Sequence, residues 1–202
     1  MALATAFNPR RTGSYRTKQD ARQAENGYHP YIAFNPSFFF AQLRFFGVLN
    51  HPGRFLDVGA GLGEKIFLAF ALGRFAECDG LEYDSRTVAV AEFLFASIAA
   101  QNPYPIRVFQ GDALTFEHYG EYDVIYMYRP IRDSRRTGYL IRRVAAQMKV
   151  GAIVFDVFTR GLALRKMAPN VFATEVEDSN GLASWAEPIT LDDFLMRHNL
   201  FS

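Results

Sequence analysis

From residue 53 onward, the chain alternates short apolar runs with longer segments in which apolar residues recur every three or four positions. The short runs are typical of strands buried on both faces, and the longer segments are typical of helices that cover them. The alternation predicts an α/β fold, a doubly wound, mostly parallel sheet with helices on both faces. The predicted strands are residues 54–58, 78–82, 106–109, 122–127 and 152–158, and the predicted helices are residues 63–72, 84–100 and 134–148.

We expect one domain over residues 31–202, preceded by a basic arm. At 202 residues the chain has the size of a single domain. Residues 1–30 carry five basic residues against two acidic ones and few aliphatic ones, which is typical of a mobile arm. The alternative is an arm that closes over a ligand or contacts an anionic substrate. Pro36 after Asn35 then predicts the start of the first helix of the domain.

The C-terminal part of the chain departs from the alternation. Residues 171–176 and 183–189 predict two strands, and the turn-forming residues 178–181 between them predict a hairpin connection. Thr190 predicts the N-cap of a last helix, which carries two acidic residues in its first turn. We therefore expect an antiparallel hairpin to complete the parallel sheet.

Composition narrows the range of functions. A formal net charge of +1 does not favour nucleic acid or an acidic membrane as partner, so such contacts would have to be local. The single cysteine, Cys78, excludes an internal disulfide, and the four histidines are too scattered to suggest a metal site. No apolar stretch approaches the about 20 residues of a membrane span, and no signal-peptide pattern is present. We expect a cytoplasmic protein with no metal and no membrane contact.

The most informative segment is residues 55–65, which predicts a strand, a glycine-rich turn and the first turn of a helix. Such a turn lets the backbone approach a nucleotide-type cofactor, and the spacing of its glycines separates the cofactor classes. A dinucleotide site needs a third glycine or alanine three positions after Gly61, where this chain has Glu64. A P-loop needs Gly-Lys-Ser/Thr, and Lys65 is neither preceded by glycine nor followed by a hydroxyl residue.

The chain instead has Asp57-x-Gly59-x-Gly61-x-Gly63, with a glycine at every second position. This run resembles the first motif of the class I S-adenosylmethionine (SAM) dependent methyltransferases, whose fold is Rossmann-like. SAM has no phosphate, and its sulfonium and ammonium groups tolerate nearby carboxylates, including Glu64. The resemblance therefore implies SAM as the cofactor.

The next two predicted strands end in residues that extend the resemblance. Glu82 lies about 20 residues beyond the glycines, where the family's acidic residue accepts hydrogen bonds from the ribose hydroxyls. Asp112 lies in Gly-Asp-Ala, similar to the family motif whose acidic side chain meets the adenine amino group. The alternatives are helix capping, above all by Asp84, and a turn cap at Asp112. The cofactor contacts implied are Asp57, Gly59, Ala60, Gly61, Gly63, Glu82, Tyr83, Asp112 and Ala113.

The end of the fourth predicted strand is where the family places catalytic and substrate-binding groups. Its sequence is Tyr128-Arg129-Pro130-Ile131, whereas the enzymes of this class that methylate nucleic-acid amines carry Asn/Asp-Pro-Pro-aromatic. The amide or carboxylate that would accept the amine proton is replaced by a phenol, which disfavours a nucleobase amine as acceptor. Tyr128 and Arg129 are the candidate pocket residues. Alternatively, Tyr126 and Tyr128 pack together at the strand end.

Two hypotheses follow from this resemblance. In the first, the chain is a SAM-dependent methyltransferase acting on a small molecule or a protein side chain. In the second, the same fold binds SAM or a nucleoside without catalysis, as a regulatory or partner protein. A third, an NAD-type oxidoreductase, is opposed by Glu64 in the glycine turn. Residues 159–170 carry no motif and are few for the helix that the family places between its fifth and sixth strands.

Overall fold

The computed structural model describes residues 35–72, 75–99, 106–128, 130–155, 163–177, 179–198 and 200. The basic arm predicted over residues 1–30 lies outside this part of the chain. The helices within it are α1 (Pro36–Phe45), α2 (Glu64–Leu72), α3 (Ser85–Ala99), α4 (Ser134–Gln147) and α5 (Leu191–Arg197), with a 3₁₀ turn at Tyr119–Glu121. The strands are β1 (Arg54–Val58), β2 (Glu77–Glu82), β3 (Ile106–Gln110), β4 (Val124–Met127), β5 (Ile153–Phe155), β6 (Ala163–Ala168), β7 (Val171–Glu177), β8 (Ala183–Trp185) and β9 (Ile189–Thr190).

The strands form one sheet in the order β3-β2-β1-β4-β5-β6-β7-β8, and β9 pairs with β7. The pairs among β1 to β5 are parallel, and the later strands pair antiparallel. The strand order reverses at β1, which has β2 on one side and β4 on the other. Ligands of doubly wound sheets bind outside the carboxyl ends of the strands at such a reversal. The predicted doubly wound, mostly parallel fold is confirmed.

Polar side chains cap the N-termini of α1 and α5 at the two residues that the sequence predicted as helix starts. The Oδ1 of Asn35 accepts a hydrogen bond from the backbone N–H of Phe38 at 3.1 Å. The Oγ1 of Thr190 accepts one from the N–H of Asp193 at 3.1 Å. Each bond satisfies a backbone donor that the first helical turn leaves unpaired. The longest described helix, α3, has 15 residues, and none in this part of the chain combines the length and apolarity that a membrane crossing requires.

The C-terminal strands include one that the sequence did not predict. The predicted hairpin is confirmed by the antiparallel pairing of β7 with β8, but the strand predicted over residues 183–189 is divided into β8 and β9, which both pair with β7. Within residues 159–170, however, β6 lies antiparallel to β5 and extends the sheet by a further strand. Lys166 interrupts the apolar pattern of β6 and yet is buried, because its Nζ donates hydrogen bonds to the carbonyl oxygens of Ala145 and Ala146 in the last turn of α4. The strand was not predicted because a charged residue, Lys166, occupies a buried position where the sequence pattern of a strand would have an apolar residue.

Helices cover both faces of the sheet, so each face has its own apolar core. Helices α1, α2 and α3 cover one face, where the core includes Phe39, Leu43, Phe55, Ile66, Ala91, Phe95, Val108, Tyr126 and Phe155. Helices α4 and α5 cover the other face, where the core includes Leu56, Val58, Ile125, Leu140, Val144, Phe172, Phe194 and Leu195. Because β1 and β4 are buried on both faces, their carboxyl ends are held by packing from both sides.

A buried carboxylate cross-links three strands on the face covered by α4. Asp79 of β2 is fully buried, and its oxygens lie 2.7 Å from the Nε of Arg107 and 3.3 Å from the Nη2 of Arg54. The hydroxyl of Tyr122 donates a further hydrogen bond to Asp79 at 2.7 Å. Burying a charge is tolerated when its pairing is complete, as here. The network joins β1, β2 and β3 toward their amino ends, away from the carboxyl ends at which a ligand would bind.

Candidate functional site

The glycine turn between β1 and α2 lies at the carboxyl end of β1. Gly59 and Gly63 have φ angles of +80° and +79°, which other residues rarely adopt. The backbone N–H groups of Gly59 and Ala60 both donate to the carbonyl oxygen of Leu81 in β2, at 2.8 and 3.1 Å. The turn is therefore hydrogen-bonded to β2 before α2 begins.

Neighbouring side chains restrict two of the glycine positions in this turn. A Cβ on Gly59 would lie 3.2 Å from the Cβ of Pro130, in the segment after β4. A Cβ on Gly63 would overlap the ring of Phe95 in α3. Steric fit and backbone conformation thus both require glycine at residue 63.

Glu82, at the end of β2, makes direct contact with the glycine turn. Its Oε2 accepts a hydrogen bond from the backbone N–H of Gly61 at 2.9 Å, and its Oε1 accepts one from the N–H of Asp84 at 3.0 Å. Burial raises the pKa of the Glu82 carboxyl, and these backbone hydrogen bonds partly oppose the shift. The N-cap of α3 is Asp84, whose Oδ2 accepts from the N–H of Thr87 at 3.2 Å. The capping alternative therefore holds for Asp84.

Asp57 is the penultimate residue of β1 and is fully buried. Its Oδ2 lies 3.5 Å from the Nζ of Lys65, and no other donor among the described residues makes a hydrogen bond to either oxygen. The same Nζ lies 5.6 Å from the centre of the Tyr126 ring. Burial raises the pKa of the Asp57 carboxyl, and Lys65 lowers it in part. A carboxylate with unfilled acceptor positions therefore lies beneath the glycine turn.

Sequence reasoning did not identify Lys65 as a site residue. The available signal was a lysine in the first turn of the helix that follows the glycines. Nothing in the spacing specified that its side chain folds back toward β1. The pairing arises because α2 packs along β1 and because Asp57 offers an acceptor there.

At the end of β3, Asp112 takes part in a turn. Its Oδ1 accepts a hydrogen bond from the backbone N–H of Leu114 at 2.9 Å, as the capping alternative predicted. The preceding residue, Gly111, donates its N–H to the carbonyl oxygen of Glu82 at 2.9 Å, so the ends of β2 and β3 are joined. Ala113 is buried, and its carbonyl oxygen accepts from the hydroxyl of Tyr119 at 2.8 Å. Asp112 thus lies beside the end of β2 with its carboxylate oriented by its own turn.

The tyrosines of β4 differ in their surroundings. Tyr126 is buried with ring centres of Phe39 and Phe155 at 5.1 and 5.2 Å, so it belongs to the core, as the packing alternative predicted. Tyr128 is half-buried against the same core at the carboxyl end of the strand. Arg129 lies outside the described residues. Tyr83, which follows Glu82, is 43% exposed.

The structure thus brings most of the predicted residues to one edge of the sheet. Glu82 and the glycine turn are in direct contact, and the turns after β2 and β3 are joined through Glu82 and Gly111. The groups around this edge are carboxylates, backbone N–H groups and aromatic rings, with Lys65 as a half-buried cation. Within the described residues, no cluster of histidine, cysteine and carboxylate side chains could hold a metal ion. This donor set suits a ligand that carries hydroxyl and ammonium groups.

Neither a protein-family model nor a curated protein matches the sequence. Solved structures do match the fold. An RNA methyltransferase from Salinibacter ruber, solved with S-adenosyl-L-homocysteine, has a TM-score of 0.51 and 20% identity over 61% of this chain and 75% of its own. A protein-L-isoaspartate O-methyltransferase has a TM-score of 0.53 and 17% identity over 83% of this chain and 51% of its own. A protein from Methanococcus maripaludis, assigned to the SAM-dependent methyltransferases, has a TM-score of 0.51 and 19% identity over 59% of this chain and 53% of its own.

These likenesses confirm the fold that the sequence motif implied. The matched part is about half the length of two of these structures and three quarters of the third. At identities of 17 to 20%, the comparison bears on the fold alone.

Proposed function

We propose that this chain, which has the fold of the class I SAM-dependent methyltransferases, binds SAM at the carboxyl ends of β1 to β3 and transfers its methyl group. The observation that carries this proposal is the hydrogen bond between Glu82 and the N–H of Gly61. It places a buried carboxylate, able to accept from paired hydroxyls, against a glycine turn that approaches a ligand closely. The absence of a P-loop or dinucleotide spacing favours a cofactor without phosphate.

The described residues fit this cofactor in charge and in hydrogen bonding. Glu82 would hold the ribose hydroxyls, and Asp112 would accept from the adenine amino group with the carboxylate oxygen that its turn leaves unused. Asp57 has unfilled acceptor positions for an ammonium group. The glycine-rich backbone of residues 59 to 63 would pass close beside the ligand.

SAM supplies a methyl group on a sulfonium, which is already a good leaving group. The chain therefore needs to align the acceptor and exclude water, and no general acid is required. Tyr128, half-buried at the end of β4, is the residue we propose for the wall of the acceptor pocket, with Arg129 as a second candidate. A phenol ring there can also stabilise a cation by its face.

We propose a small molecule or a protein side chain as the acceptor. The residues after β4, Tyr128-Arg129-Pro130-Ile131, lack the side chain that accepts the proton of a nucleobase amine in the enzymes that carry Asn/Asp-Pro-Pro-aromatic. Two of the structural neighbours are named for RNA and for isoaspartate in proteins. One fold thus serves different acceptors, and the residues after β4 are the better guide to this one.

Calorimetric titration with SAM and with S-adenosylhomocysteine tests cofactor binding. We expect both to bind with micromolar or tighter affinity and NAD to show no binding, because Glu64 occupies the position at which a dinucleotide site has glycine or alanine. Absence of binding by both adenosyl ligands would refute the proposal.

Methyl transfer is tested with methyl-labelled SAM against panels of small molecules and peptides. Tyr128→Ala should lower turnover while it leaves the affinity for S-adenosylhomocysteine within about threefold, because the residue faces the acceptor and not the adenosyl part. Tyr139→Ala, at an exposed position on α4, is the matched control and should change neither quantity. Cofactor binding without transfer to any acceptor would favour the non-catalytic alternative.

A further inference from the structure

The segment that follows β4 carries a cluster of arginines that the proposed contacts do not use. The arginine cluster consists of Arg132, Arg135 and Arg136, which lie just before α4 and in its first turn. Arg132 and Arg135 are exposed, and Arg136 is half-buried. No acidic side chain in the part of the chain that the structure describes forms an ion pair with Arg132 or Arg135. These two guanidinium groups are therefore open to a ligand from solution.

Arginines farther along the same helix have structural partners. The Nη1 of Arg142 lies 2.6 Å from the Oδ1 of Asp192 in α5. The Nε of Arg143 donates a hydrogen bond to the carbonyl oxygen of Phe116 at 2.9 Å, which ties α4 to the segment after β3. These two arginines thus join α4 to its neighbours by charge and by hydrogen bonding. Among the described residues, Arg132 and Arg135 form no such ion pair.

The start of a helix is an unfavourable place for arginines. Its unpaired N–H groups give it a partial positive charge, so acidic residues stabilise the first turn and basic residues destabilise it. α5 follows this rule with Asp192 and Asp193, whereas α4 has no acidic residue in its first turn. The N-cap Asp133 offsets the charge in part, since its Oδ1 accepts from the backbone N–H of Arg136 at 2.7 Å. Proteins depart from such local preferences chiefly at functional sites.

The arginine cluster lies close to the glycine turn. A Cβ on Gly59 would lie 3.2 Å from the Cβ of Pro130, so the chain after β4 is in contact with this turn. Arg132 follows Pro130 by two residues, which span at most about 7 Å. In the sheet, β4 lies on one side of β1, and β2 and β3 lie on the other. The arginine cluster and the strand-end carboxylates Glu82 and Asp112 therefore flank the glycine turn from opposite sides.

We propose that the arginine cluster binds an anionic group, a phosphate or a carboxylate, on a small-molecule methyl acceptor. This inference rests on the proposed function, because it names the class of acceptor for the same site. A guanidinium suits this task, since its N–H groups pair with the oxygens of a carboxylate or a phosphate in a fixed geometry. The anion is the group that holds the acceptor, and the atom that receives the methyl group is a different one.

The distribution of charge around the site favours this class of acceptor. SAM is a sulfonium cation, and the carboxylates of Glu82 and Asp112 lie on the side of the site proposed for it. Arginines on that side would repel the cofactor, and carboxylates on the other side would repel an anionic acceptor. Because β1 separates the two sets, a cationic donor and an anionic acceptor can bind side by side, each among groups of opposite charge.

The limited extent of the arginine cluster favours a small molecule over a nucleic acid. A nucleic acid is held by many phosphate contacts along an extended basic surface. Here the turns after β2 and β3, at the same edge of the sheet, carry Glu82, Asp84 and Asp112, and the chain as a whole has a net charge of +1. A polyanion laid across this edge would meet these carboxylates, whereas one anionic group would meet the arginines alone.

Calorimetry on the full chain saturated with S-adenosylhomocysteine tests anion binding, with inorganic phosphate and malonate as probes at constant ionic strength. The wild type should bind at least one probe with millimolar or tighter affinity. The double variant Arg132→Gln/Arg135→Gln should weaken that binding by about tenfold or more, as expected when hydrogen bonds between charged groups are lost. Its affinity for S-adenosylhomocysteine should stay within about threefold of the wild type. A preference for phosphate or for malonate identifies the anion that the site takes.

The matched control is the double variant Arg44→Gln/Arg142→Gln. It removes the same number of charges, one from the last turn of α1 and one from the ion pair between α4 and α5. It should change neither the affinity for the probes nor that for S-adenosylhomocysteine. Circular dichroism and thermal unfolding establish that both double variants are folded.

Methyl-labelled SAM and pairs of acceptors that differ in the anion provide a second measurement. The pairs are 4-hydroxybenzoate with 4-hydroxybenzamide, and 4-hydroxyphenyl phosphate with 4-methoxyphenol. The anionic member should be methylated faster, and Arg132→Gln/Arg135→Gln should raise its KM by about tenfold with kcat within about threefold, because the arginines hold the acceptor and do not react. Where no member is methylated, the binding of phosphate and malonate decides.

The outcomes distinguish this inference from the proposed function. If the wild type binds neither SAM nor S-adenosylhomocysteine, the proposed function fails and the inference fails with it. If S-adenosylhomocysteine binds but phosphate and malonate do not, or if the two double variants weaken the probes equally, only the inference is overturned. Faster methylation of the neutral member of a pair also overturns it, as does binding of a single-stranded oligonucleotide without binding of either small anion.

Discussion

Glu82 accepts a hydrogen bond from the backbone N–H of Gly61 at 2.9 Å, so the last residue of β2 is bound to the turn that follows β1. The second oxygen of Glu82 accepts from the N–H of Asp84 at 3.0 Å. Both oxygens thus receive backbone donors, and a neutral amide in their place could satisfy only one. Glu82→Gln therefore removes the negative charge and one of the two backbone contacts together.

Glu82→Gln should weaken the binding of S-adenosylhomocysteine by about tenfold or more, because the amide NH₂ would face a backbone N–H or lose the contact with a ribose hydroxyl. Calorimetry measures the affinity, and urea unfolding measures the free energy of unfolding. Glu92→Gln, at an exposed position on α3, is the control and should change neither. Unchanged affinity in Glu82→Gln would remove Glu82 from the cofactor site.

The raised pKa of Asp57 predicts a pH dependence of stability. Between the unfolded value of 3.8 and the raised folded value, Asp57 binds a proton more tightly in the folded protein than in the unfolded chain. The free energy of unfolding should therefore fall as the pH rises through this window. Asp57→Asn removes this contribution, so the wild type should lose more stability than the variant as the pH rises above about 4.

Urea unfolding of both proteins across this pH range measures the difference. The carboxyls of buried Glu82 and half-buried Glu175 also have raised pKa values, but they are present in both proteins, so the difference isolates Asp57. The same variant should bind SAM more weakly, because a neutral amide attracts an ammonium less. Parallel pH profiles for the two proteins would contradict the predicted role of burial at Asp57.

Gly63→Ala should destabilise the fold by about 2 kcal/mol or more, because strain at positive φ adds to overlap with the Phe95 ring. Gly47→Ala provides a matched comparison, since Gly47 has a φ of +69° and nothing lies within 4 Å of a Cβ built there. That variant should lose only about 1 kcal/mol from backbone strain. Equal losses in urea unfolding would show that Phe95 moves aside without penalty.

Asp79→Asn should lower the free energy of unfolding by about 2–3 kcal/mol, because two arginines and Tyr122 lose their charged acceptor. The expected loss is at the lower end of the losses caused by breaking buried ion pairs, because the side chains of Arg54 and Arg107 are both partly exposed to solvent. Asp192→Asn breaks an exposed ion pair with Arg142 and should lose less than about 1 kcal/mol.

Ligand affinity separates this network from the cofactor site. Asp79 lies on the opposite face of the sheet from Glu82 and three residues before it in the same strand. We therefore expect the affinity of Asp79→Asn for S-adenosylhomocysteine to stay within about threefold of the wild type when measured below the unfolding transition. A larger loss would show that the network transmits strain to the end of β2.

Much of the fold could be predicted because its signals are local. The apolar runs of β1 and β4 and the periodic segments of α3 and α4 report burial directly. Asn35 and Thr190 predicted helix starts because the side chain of an N-cap residue accepts a hydrogen bond from a backbone N–H three residues later in the sequence. β6 was missed because its Lys166 is buried through carbonyl oxygens of α4, a long-range contact that no local pattern records.

The sequence by itself determined the alternation of strands and helices from β1 to β5, the glycine turn at residues 59–63 and the carboxylates at the ends of the next two strands. These follow from backbone conformation and from periodicity, which act over a few residues. Only the tertiary structure decided that Glu82 bonds to Gly61, that Lys65 pairs with Asp57 and that Asp79 joins three strands. Such contacts join residues from different elements, and their geometry exists only once helix and strand packing has excluded water from between them.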